Sequence, residues 1–133
     1  MTYALRTKVP ISRSKQEIEA VLAKHGAKKF AYYVETTRAS VVFEAADRRI
    51  RFDLPLPEGE QKQRERWRAM LLCIKAKLES VESKIETFEE AFLAHVVMPD
   101  GSTVSEGLIP QIRIAYKDGS MPSLLPPPRR ERP

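Results

Sequence analysis

The chain has 133 residues, 42% hydrophobic and 31% charged, with a formal net charge of +5. That length suits one domain around one core, and no apolar run approaches the roughly 18 residues of a membrane span, so no membrane association is expected. The opening MTYALRTKVP has neither the apolar core nor the small-residue cleavage site of a secretory signal, and a cytoplasmic protein is expected.

In YALRTKV, residues 3 to 9, the alternation of Tyr3, Leu5, Thr7 and Val9 with Ala4, Arg6 and Lys8 predicts a short strand that ends at Pro10. Ser14 and Glu17 have capping-box spacing, Ile18, Val21 and Leu22 make a helical stripe, and Gly26 can supply a left-handed residue past the end. A helix from about 14 to 25 follows, with His25 in its last turn where an imidazole favours the helix dipole. From Lys28 the period changes to two. Phe30, Tyr32 and Val34 oppose Ala31, Tyr33 and Glu35, ETTR makes a turn, and SVVFEA resumes the strand pattern. After a second turn at AADRR, the apolar set Ile50, Phe52, Leu54 and Leu56 opposes Arg49, Arg51 and Asp53. Pro55 and Pro57 lack amide donors, so this strand ends there or lies at a sheet edge.

PEGEQKQ is a polar loop, after which Trp67, Leu71, Ile74, Leu78, Val81 and Ile85 recur at helical intervals and predict a long amphipathic helix. Cys73, inside MLLCI, is expected to be a small buried side chain with no disulfide partner. Thr87 and Glu90 repeat the capping-box spacing before a short helix packed by Phe88, Phe92 and Leu93. A last helix is predicted from about 105 to 117, its start made uncertain by Pro110. The order predicts an α+β fold. A small antiparallel sheet, formed by a three-strand meander and the N-terminal strand, packs on the long helix, with short C-terminal helices following. Residues 1 to 125 make the domain, and 126 to 133, PPPRRERP, a disordered basic tail. In order alone, the central helix, three strands and helix resemble the double-stranded RNA-binding domain, the three strands with the long helix resemble the core of single-strand annealing proteins, and such likenesses carry no function.

Little of the composition supports catalysis. Restriction-like nucleases share a helix, three strands and a helix, but need two carboxylates and a lysine in a fixed strand pattern. Here Asp53 is followed by Leu54 and Pro55, and Glu44 by Ala45 and Ala46, which does not match. His95, without cysteine or histidine neighbours, reads as a half-buried side chain rather than a ligand. The 5 glycines stand singly, so no phosphate-cradling loop, and no nucleotide, metal or other cofactor, is expected.

What remains is surface character. With Ile50, Phe52 and Leu54 turned to the helix, Arg49 and Arg51 lie on the open face of the sheet, and Tyr33 or Tyr32 can share it. Aromatic and guanidinium groups together can stack on bases and contact phosphates. Equally, such arginines can solvate the face and pair with Glu35, Glu44 and Asp53 across strands. A second basic set is Lys62, Arg64, Arg66 and Arg68 around Trp67, and a third is Arg129, Arg130 and Arg132. The acidic stretch from Glu79 to Glu90 suits a contact with a basic protein instead.

The blocks RRIRFDLPLP, RWRAMLLCIKAKLESVESKIETFEEAFLAHVVMPDG and YKDGSMPSLLP resemble a family of small uncharacterised proteins of bacteriophages and prophages. The resemblance implies a phage or mobile-element setting in a bacterial cytoplasm and transfers no catalytic residue. Together these readings predict a non-catalytic nucleic-acid-binding accessory protein of DNA replication, recombination or its regulation. Its contact residues would be Tyr33, Arg49, Arg51, Arg64, Arg66, Arg68, Arg129 and Arg130. The alternative is a protein-interaction module, an inhibitor or adaptor of a host enzyme or defence complex, using the acidic helix end or an apolar groove near Phe88 and Phe92.

Overall fold

The alternation of Ile50, Phe52 and Leu54 with Arg49, Arg51 and Asp53 requires a strand with one apolar face, and the computed structural model, which describes residues 7–121, bears this out. Strands β1 (Lys28–Val34), β2 (Arg38–Ala45) and β3 (Arg48–Pro55) form an antiparallel sheet in the order β1-β2-β3. Pairing of Tyr32 with Val41 and of Val41 with Phe52 puts these three, and their neighbours two residues away, on one side. Ala39, Val41, Phe43, Ile50, Phe52 and Leu54 are all buried there.

Two helices cover that side. Helix α1 (Ile11–Lys24) contributes Ile18 and Leu22, and the long α2 (Glu60–Glu82) contributes Trp67, Met70, Leu71, Ile74 and Leu78. Burying each such side chain stabilises the fold by about 1.5–3 kcal/mol. The helices run parallel: Gln61 donates to the Thr7 carbonyl at 2.7 Å, Glu17 pairs with Arg68, and His25 meets Glu82 at 3.4 Å, so contacts advance along both in the same sense. Between them Trp67 meets Tyr32 edge-on at 6.0 Å, under the Lys15 ammonium at 4.7 Å from the Trp67 ring.

The chain then closes the end of this core. Helix α3 (Phe88–Phe92) starts with the predicted capping box, Glu90 N–H donating to Thr87 Oγ1 at 3.1 Å and Thr87 N–H to Glu90 Oε1 at 2.9 Å. Phe92 is driven between Phe43, Phe52 and Phe88, with centroids 5.8, 6.2 and 4.7 Å away. A 3-10 turn at Leu93–His95 stacks His95 on Phe52 at 3.9 Å. Burial, and then the nearby Lys77 charge, push the His95 pKa down, as befits a half-buried histidine stacked on an aromatic ring. Val96 and Val97 next run along the free edge of β3, Val97 N–H donating to the Arg49 carbonyl at 2.8 Å. This edge, marked in the sequence by Pro55 and Pro57, is thus covered over its first half. The chain returns through Gly101 to helix α4 (Val104–Asp118), which includes Pro110.

Several expectations are corrected. Helix α1 begins at Ile11 with Pro10 as its N-cap, so Ser14 makes no capping box. The inward stripe extends back through Ile11, which places Ser14 on it, fully buried and with no partner for its hydroxyl. Cys73 is exposed, because helical spacing selects Met70, Leu71 and Ile74 from MLLCI and leaves it outside. Ile85 lies beyond the end of α2 and Leu93 on the outer side of its turn, and both are exposed. Residues 7–9 form no strand; residues 3–6, the domain boundary at 125 and the basic tail lie outside the described residues. No helix among the described residues is long and apolar enough to cross a membrane.

Candidate nucleic-acid interface

Among the described residues, no helix layer covers the sheet face opposite α1 and α2. Pairing of Tyr33 with Ser40, Ser40 with Asp53 and Val42 with Arg51 puts these residues, together with Ala31, Glu44 and Arg49, on that face. The turn from Val97 to Gly101 rises along its β3 side and makes it concave. A groove of about 420 Å³ results, lined by Lys29, Tyr33, Val42, Arg49, Val97 and Gly101 among others. Through Glu44 and Arg49 it continues into a second hollow of about 690 Å³ beside Lys28, Asp47 and Arg48.

Tyr33 is 63% exposed. Tyr32, one residue earlier, points into the core, where its hydroxyl donates to the Lys15 carbonyl at 3.1 Å and burial raises its pKa. Of the two tyrosines, only Tyr33 is on the open face.

The two predicted arginines of this face differ in freedom. Arg51 is 24% exposed and spends its guanidinium on three partners: Asp53 at 3.3 Å, the Gly101 carbonyl at 2.9 Å and Glu106 at 2.5 Å. It fastens β3 to the start of α4. Arg49 is 60% exposed and, among the described residues, its side chain holds only Glu44, at 3.1 Å. Its hydrogen bond, followed by the charges of Lys29 and Arg49, keeps the Glu44 carboxyl below its ordinary pKa. Exposed pairs of this kind contribute little, so a phosphate can take the place of Glu44 at small cost. An arginine with three partners has no such reserve.

Lys28 and Lys29 belong to the site although strand alternation did not single them out. Pairing slips between Lys28 and Phe30, and Lys29 takes a positive φ of 44°. This bulge brings Lys28 opposite Glu44 and lets Lys29 reach the same carboxylate at 3.5 Å, so both lysines sit at one end of the open face. Arg38, paired with Asp53 at 3.7 Å, and Arg48, paired with Glu89 at 3.5 Å, add charge at its borders.

The α2 arginines are elsewhere. Arg64 and Arg68 share one flank of the helix, and Arg66 projects from the other. Arg64 pairs with Glu60 at 2.9 Å and also holds Gln61, Arg68 holds Glu17 of α1, and Arg66 is exposed. The Arg68 hydrogen bond lowers the Glu17 pKa. Because α2 covers the core side of the sheet, none of the three joins Tyr33 and Arg49 on one surface. Arg129 and Arg130 fall outside the described residues.

The described carboxylates are spread over separate partners. Asp53 accepts from Ser40 at 2.8 Å besides its arginines, and Asp100 accepts from Ser102, which lowers the Asp100 pKa. Among the described residues no three His, Cys, Asp or Glu side chains converge. Near α3, Phe92 is buried and Phe88 half-buried, so the apolar groove expected there is filled by the chain itself. Comparison of the chain with known protein families, with curated proteins and with solved structures finds no match.

Proposed function

We propose that the protein is a non-catalytic nucleic-acid-binding accessory module that grips single strands on its open sheet face. The setting is the bacterial cytoplasm and the phage or prophage context implied by the sequence resemblance. The observation that carries the reading is Tyr33, exposed on a concave face with Lys29 and Arg49 along the same groove. A base stacked on an aromatic ring of this kind is worth about 1–3 kcal/mol, and the flanking cations supply sequence-independent phosphate attraction. Arg51 is a positioning residue here, since it holds the wall at Gly101.

The test is fluorescence anisotropy with labelled single-stranded DNA, RNA and duplex DNA over a salt series. Affinity for single strands should fall steeply with salt, and Tyr33→Ala should weaken it about 5- to 150-fold, the range of one lost stack. Arg49→Glu should weaken it and flatten the salt dependence. Absence of binding at low salt defeats the reading. A host protein that co-purifies stably after nuclease treatment would support the alternative of a protein-interaction module.

A further inference from the structure

Helix α4 is the one α-helix among the described residues that buries no side chain. Its first turn is anchored: Val104 N–H donates to the Val96 carbonyl at 3.0 Å, Thr103 caps Glu106 N–H at 3.4 Å, and Glu106 holds Arg51. Past Glu106, no hydrogen bond or ion pair joins α4 to the other described elements. Yet three large apolar side chains share one side of it, while Ile114, also 43% exposed, stands off that side. Ile109, Ile112 and Tyr116, at helical spacing, are 43%, 42% and 88% exposed, and Met98 beside the start of the helix is 43% exposed. A helix of about 15 residues with Val104, Leu108, Gln111 and Ala115 no more than half-buried along its inner side is marginal in water without further packing. A stripe of large apolar side chains along it calls for a cover.

We propose that the cover is the α4 of a second copy of this chain, packed antiparallel about a two-fold axis. The charges select this occupant. Glu106 and Arg113 lie seven residues apart in sequence, on the same flank of the Ile109–Ile112 seam. In an antiparallel pair that flank faces its own counterpart, so Glu106 of each helix meets Arg113 of the other, twice by symmetry. A parallel pair would set Arg113 against Leu108 and leave Glu106 beside Gly101, before the helix begins, so both charges would be unmatched. The Glu106 carboxylate binds Arg51 through Oε1, which leaves Oε2 to accept from Arg113 of the mate. Ile109 packs on Ile112 across the axis, Tyr116 closes over Ser105, and Pro110 points away from the seam, so its missing N–H does not matter to the contact. A helix pair of this length buries less than the roughly 800 Å² per partner of a standard stable interface. The dimer is therefore weak, with a dissociation constant in the micromolar range or above.

Sedimentation of the full chain from micromolar to near-millimolar concentration tests this. A reversible monomer–dimer equilibrium is expected, weakened at least tenfold by Arg113→Glu and by Ile112→Lys. Both positions are exposed, and unchanged thermal melting of the dilute variants would confirm that the core is intact. A wild-type protein that stays monomeric throughout overturns the proposal. So does a dimer that neither variant weakens. Deletion of residues 122–133 gives a second reading by hydrogen exchange. Concentration-dependent protection of α4 that survives the deletion supports self-pairing, whereas protection in the monomer that the deletion removes assigns the cover to the chain's own end and overturns it.

Discussion

The two faces of the sheet are made from the same three strands and hold together by different means. On the core side Phe43, Phe52 and Ile50 meet Phe92 and the two parallel helices, and the large side chains that β2 and β3 turn to that side are buried. On the open side Arg49, Arg38 and Lys29 meet Glu44 and Asp53 in contacts that water can replace. Stability therefore sits on one face, and freedom to exchange partners on the other. Arg51 is the exception, an open-face residue used as the core side uses its aromatics, to lock one segment against another.

This contrast can be broken most forcefully at Phe92. Phe92→Ala should lower unfolding free energy by about 3–5 kcal/mol in urea titration, as for other buried aromatic truncations. Within the open face, Arg51→Ala should cost about 1–3 kcal/mol, because the Gly101 carbonyl and Glu106 lose their partner, and hydrogen exchange at residues 101–106 should speed up. Arg49→Ala should leave the urea midpoint unchanged, which separates the fastening arginine from the exchangeable one. The β2–β3 turn offers a gain. Ala46 and Asp47 both have positive φ, 50° and 60°, the pattern of a type I′ turn that favours Asn-Gly. Ala46→Asn with Asp47→Gly should raise stability by about 1 kcal/mol. The smallest effect is one of pH. His95 has a depressed pKa in the folded state, so its contribution is complete above its ordinary value of 6.5 and is lost as pH falls below that value towards the folded one. Glu17 acts only at lower pH, because its folded pKa lies below the ordinary 4.5. The stability of the protein should thus decline as pH falls below about 6.5, and His95→Gln should remove that part of the slope.

The alternating strands and the spacing of α2 were legible because burial on one face imposes a period, and the Thr87–Glu90 box was legible because capping needs those residue types at that spacing. The start of α1 was misread, since Ser14 and Glu17 have the spacing of a cap while the inward stripe runs back to Ile11. The open face could be placed from alternation, and Tyr33 with it. What alternation could not carry was the bulge at Lys29, which departs from the period, or the three partners of Arg51, two of which are about 50 residues away in the chain. Nor could a count of arginines tell that α2 and β3 point theirs in different directions.

The exposed Cys73 gives the molecule a ready attachment point. It is the only thiol in the chain, and it stands on the solvent side of a helix that is firmly seated and away from the sheet's open face. A maleimide dye or nitroxide can therefore be placed there without altering any other residue. In a two-fold pair such labels would come in twos, so one native side chain can report the distance between copies while Tyr33 and its neighbours are left untouched.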